Sequence, residues 1–411
     1  MRQHVRSGTE VFDGLRGLAI LLVVAFHTWL FSWYMPDLTL LGHSLPVAML
    51  VRGGYLGVDL FFMISGFVLF FPYAERALGG SPPPTLREFA RRRFLKIVPS
   101  YALALAATAV LAIPVVQSTP ALLGSLANHV FFFQNAFDDR MGSVNSVLWS
   151  LAVEVQFYLI FPLLAIAFVR RPFVVAGLMI AAAVLYRYAV APCCIAIEPV
   201  TRQLPAFLDV FACGMAAAYA LVWLRARVPR LERFAPLFTL AALACLGAGF
   251  ALYESADGFA YAPSGSAHWL LGHRTWLALD SAAFGVASCL AAGWWRRVVA
   301  NPVFLFLGIV SYNLYLWHTL VLIWIWRHGV LPAATPEPHD DPQWRIPFIL
   351  VGWTACLAIS TAITYFIERP LLGTARRPTF SFDWQRLQRW SISPSETRTG
   401  TSTQGQIRNQ P

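Results

Sequence analysis

The chain has 411 residues, 57% of them apolar and only 13% charged, against about a quarter charged in ordinary soluble domains. Its 31 Lys and Arg outnumber 21 Asp and Glu by ten, but they fall in short clusters between apolar runs of about 20 residues, the length that crosses ~30 Å of hydrocarbon. A soluble enzyme and a nucleic-acid-binding domain are thereby excluded, and the composition is that of a polytopic membrane protein.

Ten spans are expected, over roughly 12–31, 53–72, 97–117, 147–169, 173–191, 205–224, 235–253, 275–293, 302–326 and 347–367. The first follows a short basic stretch but carries Arg16 and no small-residue cleavage site, so it reads as a retained helix rather than a signal peptide. The stretch 120–133 is apolar yet short for a span, which suits a re-entrant or interfacial helix. Of six cysteines, five lie in or beside apolar segments and none has zinc-ligand spacing; no metal site is expected. The adjacent pair Cys193-Cys194 sits in an outer loop, where a disulfide is an open alternative. From 374 onward the chain is polar and reads as a disordered tail.

Basic residues orient the spans. With the N-terminus in the cytoplasm, 23 Lys and Arg outside the spans fall on the inner side and six on the outer, Arg274 among the six. The positive-inside rule then places both termini in the cytoplasm. The expected fold is an all-α integral membrane protein, a bundle of about ten transmembrane helices: an N-terminus over 1–11, a membrane domain over 12–373 and a tail over 374–411.

Ionisable residues within spans are costly, about 2.5–3.5 kcal/mol each at a helix centre, so each asks for a reason. Arg16 lies near the inner end of the first span and His27 near the outer end. Eleven residues separate them, which leaves them about 20° apart in azimuth and about 16 Å apart along the axis. Snorkelling Arg and interfacial His would account for the pair without function. Asp59, Glu154, Asp209, Asp280, Arg187 and His318 fall at depths similar to His27, and together they suggest a polar cavity open to the outside. A histidine there, oriented by Asp59 or Glu154, suits general-base work. On the inner side, Arg91, Arg92, Arg93 and Lys96 serve as a topogenic cluster and also offer bidentate and point-charge contacts to phosphate.

These residues lie in blocks that resemble a known family. The opening FDGLRGLAILLVVAFH, with Arg16 and His27 spaced R-x10-H, is similar to the signature of the membrane-bound acyltransferase family 3. GVDLFFMISGFVL, RRRFLKIVPSY, LWSLAVEVQFYLIFPLL, SYNLYLWH and IERP resemble its later blocks in the same order, across the whole apolar core. One departure is Val155, where members often carry a second acidic residue after the position of Glu154. The absence of a following SGNH-type hydrolase domain corresponds to the stand-alone form.

The resemblance implies an O-acyltransferase of a bacterial cytoplasmic membrane, with acyl-CoA, commonly acetyl-CoA, as co-substrate and no permanently bound cofactor. The acceptor it implies is a hydroxyl of a carbohydrate or a secondary metabolite. CoA phosphates would meet Arg91, Arg92, Arg93, Lys96 and Arg16. His27 would be the base, with Asp59 or Glu154 as its orienter, by direct attack or through an acyl-enzyme. Trp149, Tyr312, Tyr315 and Asn313 are candidates for lining the cavity or stabilising the oxyanion, and His318 for binding substrate. The competing reading is a transporter or flippase that moves a lipid-linked or acylated product without chemistry; the missing internal repeat and the ordered blocks argue against it.

Overall fold

The computed structural model describes residues 9–36, 39–40, 43–44, 47–111, 119–136, 144–190, 201–260 and 265–373. The expected tail from 374, the Cys193-Cys194 loop and most of the N-terminal segment lie outside these. Within the described residues ten long helices run in chain order: α1 Glu10–Ser32, α2 Gly57–Ala77, α3 Leu86–Val110, α4 Trp149–Arg170, α5 Pro172–Val190, α6 Leu208–Arg227, α7 Ala235–Ala260, α8 Gly265–Leu290, α9 Pro302–Arg327 and α10 Pro342–Ile363. Among the described residues the only extended pairing is Thr39–Leu40 with His43–Ser44. The protein is an all-α multi-pass membrane protein.

Nine of the described helical stretches are long and apolar enough to cross a membrane. The tenth, α8, is as long as its neighbours at 26 residues. It carries His268, His273, Arg274 and Asp280, which make it less apolar. Its position corrects the sequence expectation: the span of 275–293 begins ten residues earlier, at Gly265, and Arg274 is inside the helix, 2% exposed, not in an outer loop. Hydropathy discounts this segment because it scores Arg274 as a lone cation, whereas the fold gives it a carboxylate. The short stretch after α3 is a 12-residue helix, Thr119–Val130, as the sequence suggests.

The most buried helices are α1, α2, α6 and α9, and their close packing rests on small residues. Helix α1 packs along α9 and α2 along α6. A Cβ at Gly17 would overlap the Phe304 carbonyl, and one at Gly214 the Met63 carbonyl. In lipid, where apolar burial does not drive helices together, such backbone approach is what gains dispersion contact. Phe62, Phe157, Phe207 and Phe211 fill the layer behind α2, with Phe157 and Phe211 stacked at 3.7 Å. One end of the bundle carries Arg16, the basic start of α3 and the end of α2; the other carries His27 and the start of α2.

Candidate active site

Two cavities enter the bundle from opposite ends. The one at the Arg16 end has a volume of about 590 Å³ and is lined by Arg16, Arg92, Arg93, Lys96, Ser65, Glu154, Tyr158 and Tyr312. The other, about 490 Å³, is lined by His27, Arg52, Asp59, Trp149, Arg202, Arg274 and Thr319. Val58 and Tyr315 line both.

Helix α1 delivers one key residue to each cavity, Arg16 at one end and His27 at the other, as their eleven-residue spacing predicts. The His27 Nδ1 lies 2.9 Å from the Val23 carbonyl oxygen. A carbonyl can only accept, so in the neutral ring Nδ1 carries the hydrogen and Nε2 keeps its lone pair. His318 repeats the arrangement from α9: its Nδ1 lies 3.0 Å from the Leu314 carbonyl and 2.8 Å from that of Tyr315. His318 is fully buried, and its ring centroid is 4.8 Å from that of His27.

The expected carboxylate orienters are placed otherwise. Asp59 lines the His27 cavity but accepts a 2.8 Å hydrogen bond from Arg274 Nε; both side chains are buried. Arg274 Nη1 also donates to the Thr201 carbonyl at 3.0 Å. Glu154 is not in the His27 layer at all. It faces the opposite cavity, where Ser65 Oγ donates to its Oε1 at 2.7 Å and the Tyr158 hydroxyl at 2.5 Å. The reason is helical phase and depth: Trp149, at the start of α4, reaches the His27 cavity, and Glu154, more than a turn further along, passes behind Tyr315. Of the other intramembrane charges, Arg187 Nη2 donates to Asp209 Oδ2 at 2.8 Å, a buried structural pair. Among the described residues the expected single polar layer is therefore divided: His27 and Asp59 line one cavity and Glu154 the other, Arg187 and Asp209 form a separate ion pair, and Asp280 and His318 line neither cavity.

The basic cluster is only partly in the cavity. A capping box starts α3: Thr85 Oγ1 accepts from the Glu88 amide at 3.3 Å and Glu88 Oε2 from the Thr85 amide at 3.0 Å. From that start the helix turns Arg92, Arg93 and Lys96 toward the cavity, while Arg91 is exposed and does not line it. The Arg93 guanidinium lies 5.7 Å from the Tyr158 ring centre, and the Lys96 ammonium 5.2 Å from that of Tyr312. Lys96 also pairs with Glu368.

Glu368 is a site residue that the sequence reading did not single out, although it lies in the IERP block. It ends a π-helical turn, Thr364–Glu368, and is buried. Such turns are frequent at functional sites because they redirect side chains out of the regular helix register. Asn313 Nδ2 donates to Glu368 Oε2 at 2.9 Å and to Thr364 Oγ1 at 2.8 Å. Asn313 thus fixes Glu368 rather than lining either cavity. Tyr312 lines the Arg16-end cavity and donates to the Ile97 carbonyl at 2.7 Å. Trp149 lines the His27 cavity beneath the Arg202 guanidinium, 5.3 Å from its ring centre. Arg202 and Arg274 were legible only as outer-loop cations, since their partners come from other helices.

Comparison with known proteins places the chain in a family. A family described as "Acyltransferase domain" matches residues 10–368. The chain is similar to the peptidoglycan O-acetyltransferase OatA of Listeria monocytogenes, 29% identical over 188 residues that cover 41% of this chain and 26% of that protein. It is 30% identical over 344 residues to the exopolysaccharide production protein ExoZ of Rhizobium meliloti, covering 79% of this chain and 92% of that one. To the O-acetyltransferase OatA of Staphylococcus aureus it is 27% identical over 169 residues, 39% of this chain and 25% of that protein. The match thus spans about a quarter of the OatA proteins and most of ExoZ. No solved structure matches the chain.

Proposed function

The chain belongs to the acyltransferase-domain family, and from that premise we propose that it moves an acetyl group from cytoplasmic acetyl-CoA to a carbohydrate hydroxyl on the far side of a bacterial cytoplasmic membrane. The observation that carries this reading is the pair of cavities of different chemistry that meet at Tyr315 and Val58. Four cations line one of them, Arg16, Arg92, Arg93 and Lys96, against the carboxylates of Glu154 and, through Lys96, Glu368. That excess suits the phosphates of CoA. The other holds an imidazole whose Nε2 lone pair is available as a base.

In this reaction His27 Nε2 takes the proton of the acceptor hydroxyl as its oxygen attacks the thioester carbonyl carbon. The tetrahedral intermediate collapses with cleavage of the carbon–sulfur bond. The leaving CoA thiolate takes the proton back from His27, which restores the neutral ring. The Val23 carbonyl holds the ring in the required tautomer and stabilises the transient imidazolium, the part that the sequence reading gave to Asp59 or Glu154. The Asp59–Arg274 pair instead shapes the acceptor cavity. A carbohydrate acceptor is supported by two relatives, a peptidoglycan O-acetyltransferase and an exopolysaccharide production protein.

The test is acetyl transfer by purified protein in detergent, with radiolabelled acetyl-CoA and a panel of soluble glycan fragments. Transfer without separate compartments is expected, and it excludes a pure transporter. Failure to bind acetyl-CoA would overturn the donor assignment.

A further inference from the structure

Tyr315 occupies a position that the reaction, as written, does not use. It projects from α9 between the two cavities and, with Val58, is shared by both linings. Its side chain is held at both its hydroxyl and its ring. The hydroxyl donates to the Val147 carbonyl at 2.9 Å and lies 2.7 Å from Ser150 Oγ. The ring lies edge-on to Phe61, centroids 6.1 Å apart, and 5.8 Å from the His318 ring. Ser150 Oγ is also 3.1 Å from the Val147 carbonyl, so its single proton serves either that carbonyl or the Tyr315 hydroxyl. The two latch groups belong to opposite sides, since Ser150 lines the Arg16-end cavity and Val147 the His27 cavity.

We infer that Tyr315, latched to Ser150 and Val147, is the partition that decides between acyl transfer and hydrolysis. The inference rests on the donor and acceptor assignments proposed above. A thioester approaching from one cavity and a hydroxyl from the other must meet at this ring. A cavity open to the outside is filled with water whenever no acceptor occupies it, and water is itself an oxygen nucleophile. In the unwanted reaction a water oxygen attacks the thioester carbonyl carbon, the carbon–sulfur bond breaks, acetate leaves and the thiolate is protonated to free CoA. Exclusion of water until the acceptor is bound prevents this loss. A phenol suits the task because its ring fills the opening while its hydroxyl is held by two weak, exchangeable hydrogen bonds. Turning the ring aside breaks those bonds and the ring contacts with Phe61 and His318, and leaves the helix ladders of α4 and α9 intact.

The experiment measures acceptor-independent CoA release from acetyl-CoA by the purified full-length protein, together with acetyl-CoA affinity. Wild type, Tyr315→Phe, Tyr315→Ala and Ser150→Ala are compared. Tyr315→Ala is expected to raise hydrolysis about tenfold or more, with acetyl-CoA affinity little changed. Tyr315→Phe and Ser150→Ala, which keep the ring and remove the latch, are expected to give smaller rises. These two also carry the test if the alanine variant does not fold. Hydrolysis at the wild-type level in variants that still bind acetyl-CoA would overturn the partition and leave the proposed reaction standing. Absence of acetyl-CoA binding by the wild type would overturn the donor assignment and the partition with it.

Discussion

His27 and His318 stand with ring centroids 4.8 Å apart at an interplanar angle of 69°, each with its Nδ1 at the carbonyl oxygen of the residue four before it. Both neutral rings therefore keep the lone pair on Nε2. Only His27 also lines the cavity proposed for the acceptor, so the two are chemically alike and differ in access. His318 Nε2 is buried without a hydrogen-bond partner among the described residues.

Replacement of His27 by Ala is expected to lower acetyl transfer by about 10²–10⁴-fold, the usual effect of losing a general base. Binding of acetyl-CoA should persist, because the proposed phosphate contacts are at the other end of α1, about 16 Å away by helix rise. Single-turnover transfer and equilibrium binding, measured on the same preparation, separate the two effects. Substantial transfer by the Ala variant would mean that this imidazole is not the base.

The basic cluster should divide by position. Arg92→Ala and Arg93→Ala are expected to raise the apparent KM for acetyl-CoA with less effect on kcat, since phosphate contacts are made alike in the ground and transition states. Arg91→Ala is expected to change neither, because Arg91 does not line the cavity. Steady-state kinetics across a salt series provide the check: salt should weaken donor binding less in the Arg92 and Arg93 variants than in wild type. An unchanged KM in correctly folded Arg92 and Arg93 variants would assign the cluster to topology alone.

Asp59 and Arg274 are expected to fail separately and to recover together. Loss of one partner leaves a buried charge uncompensated, a cost of about 3–5 kcal/mol. Asp59→Asn or Arg274→Met alone should therefore lower thermal stability in detergent markedly. The double variant should regain part of the loss, as a neutral pair of similar volume often does. Additive losses in a double-mutant cycle would show that the 2.8 Å contact is not the source of the effect.

Sidedness is open to a direct check. A single cysteine at Ser81, which follows α2 at the Arg16 end, should resist an impermeant thiol reagent in intact cells. One at Val330, exposed after α9 at the His27 end, should react. The reverse pattern would put the cationic cavity outside and remove CoA from consideration.

Membrane character, nearly every helix and the placing of Arg16 and His27 on one helix are properties of the sequence alone. They follow from local quantities: a run of apolar residues long enough for the bilayer, a surplus of Lys and Arg at one end, and 100° of turn per residue. The start of α8 was misplaced because hydropathy scores Arg274 by itself, whereas burial of a charge depends on its partner, and Asp59 lies 215 positions away in the chain. For the same reason Glu154 was grouped with His27 by depth, although its hydrogen bonds to Ser65 and Tyr158 turn it to the other cavity. The Val23 carbonyl that holds the imidazole lies one turn back in the same helix, but that two cavities exist and that Tyr315 and Val58 line both were decided by tertiary structure. Each of these depends on how helices distant in sequence pack, and close packing of side chains from several helices leaves no periodic trace in any one of them.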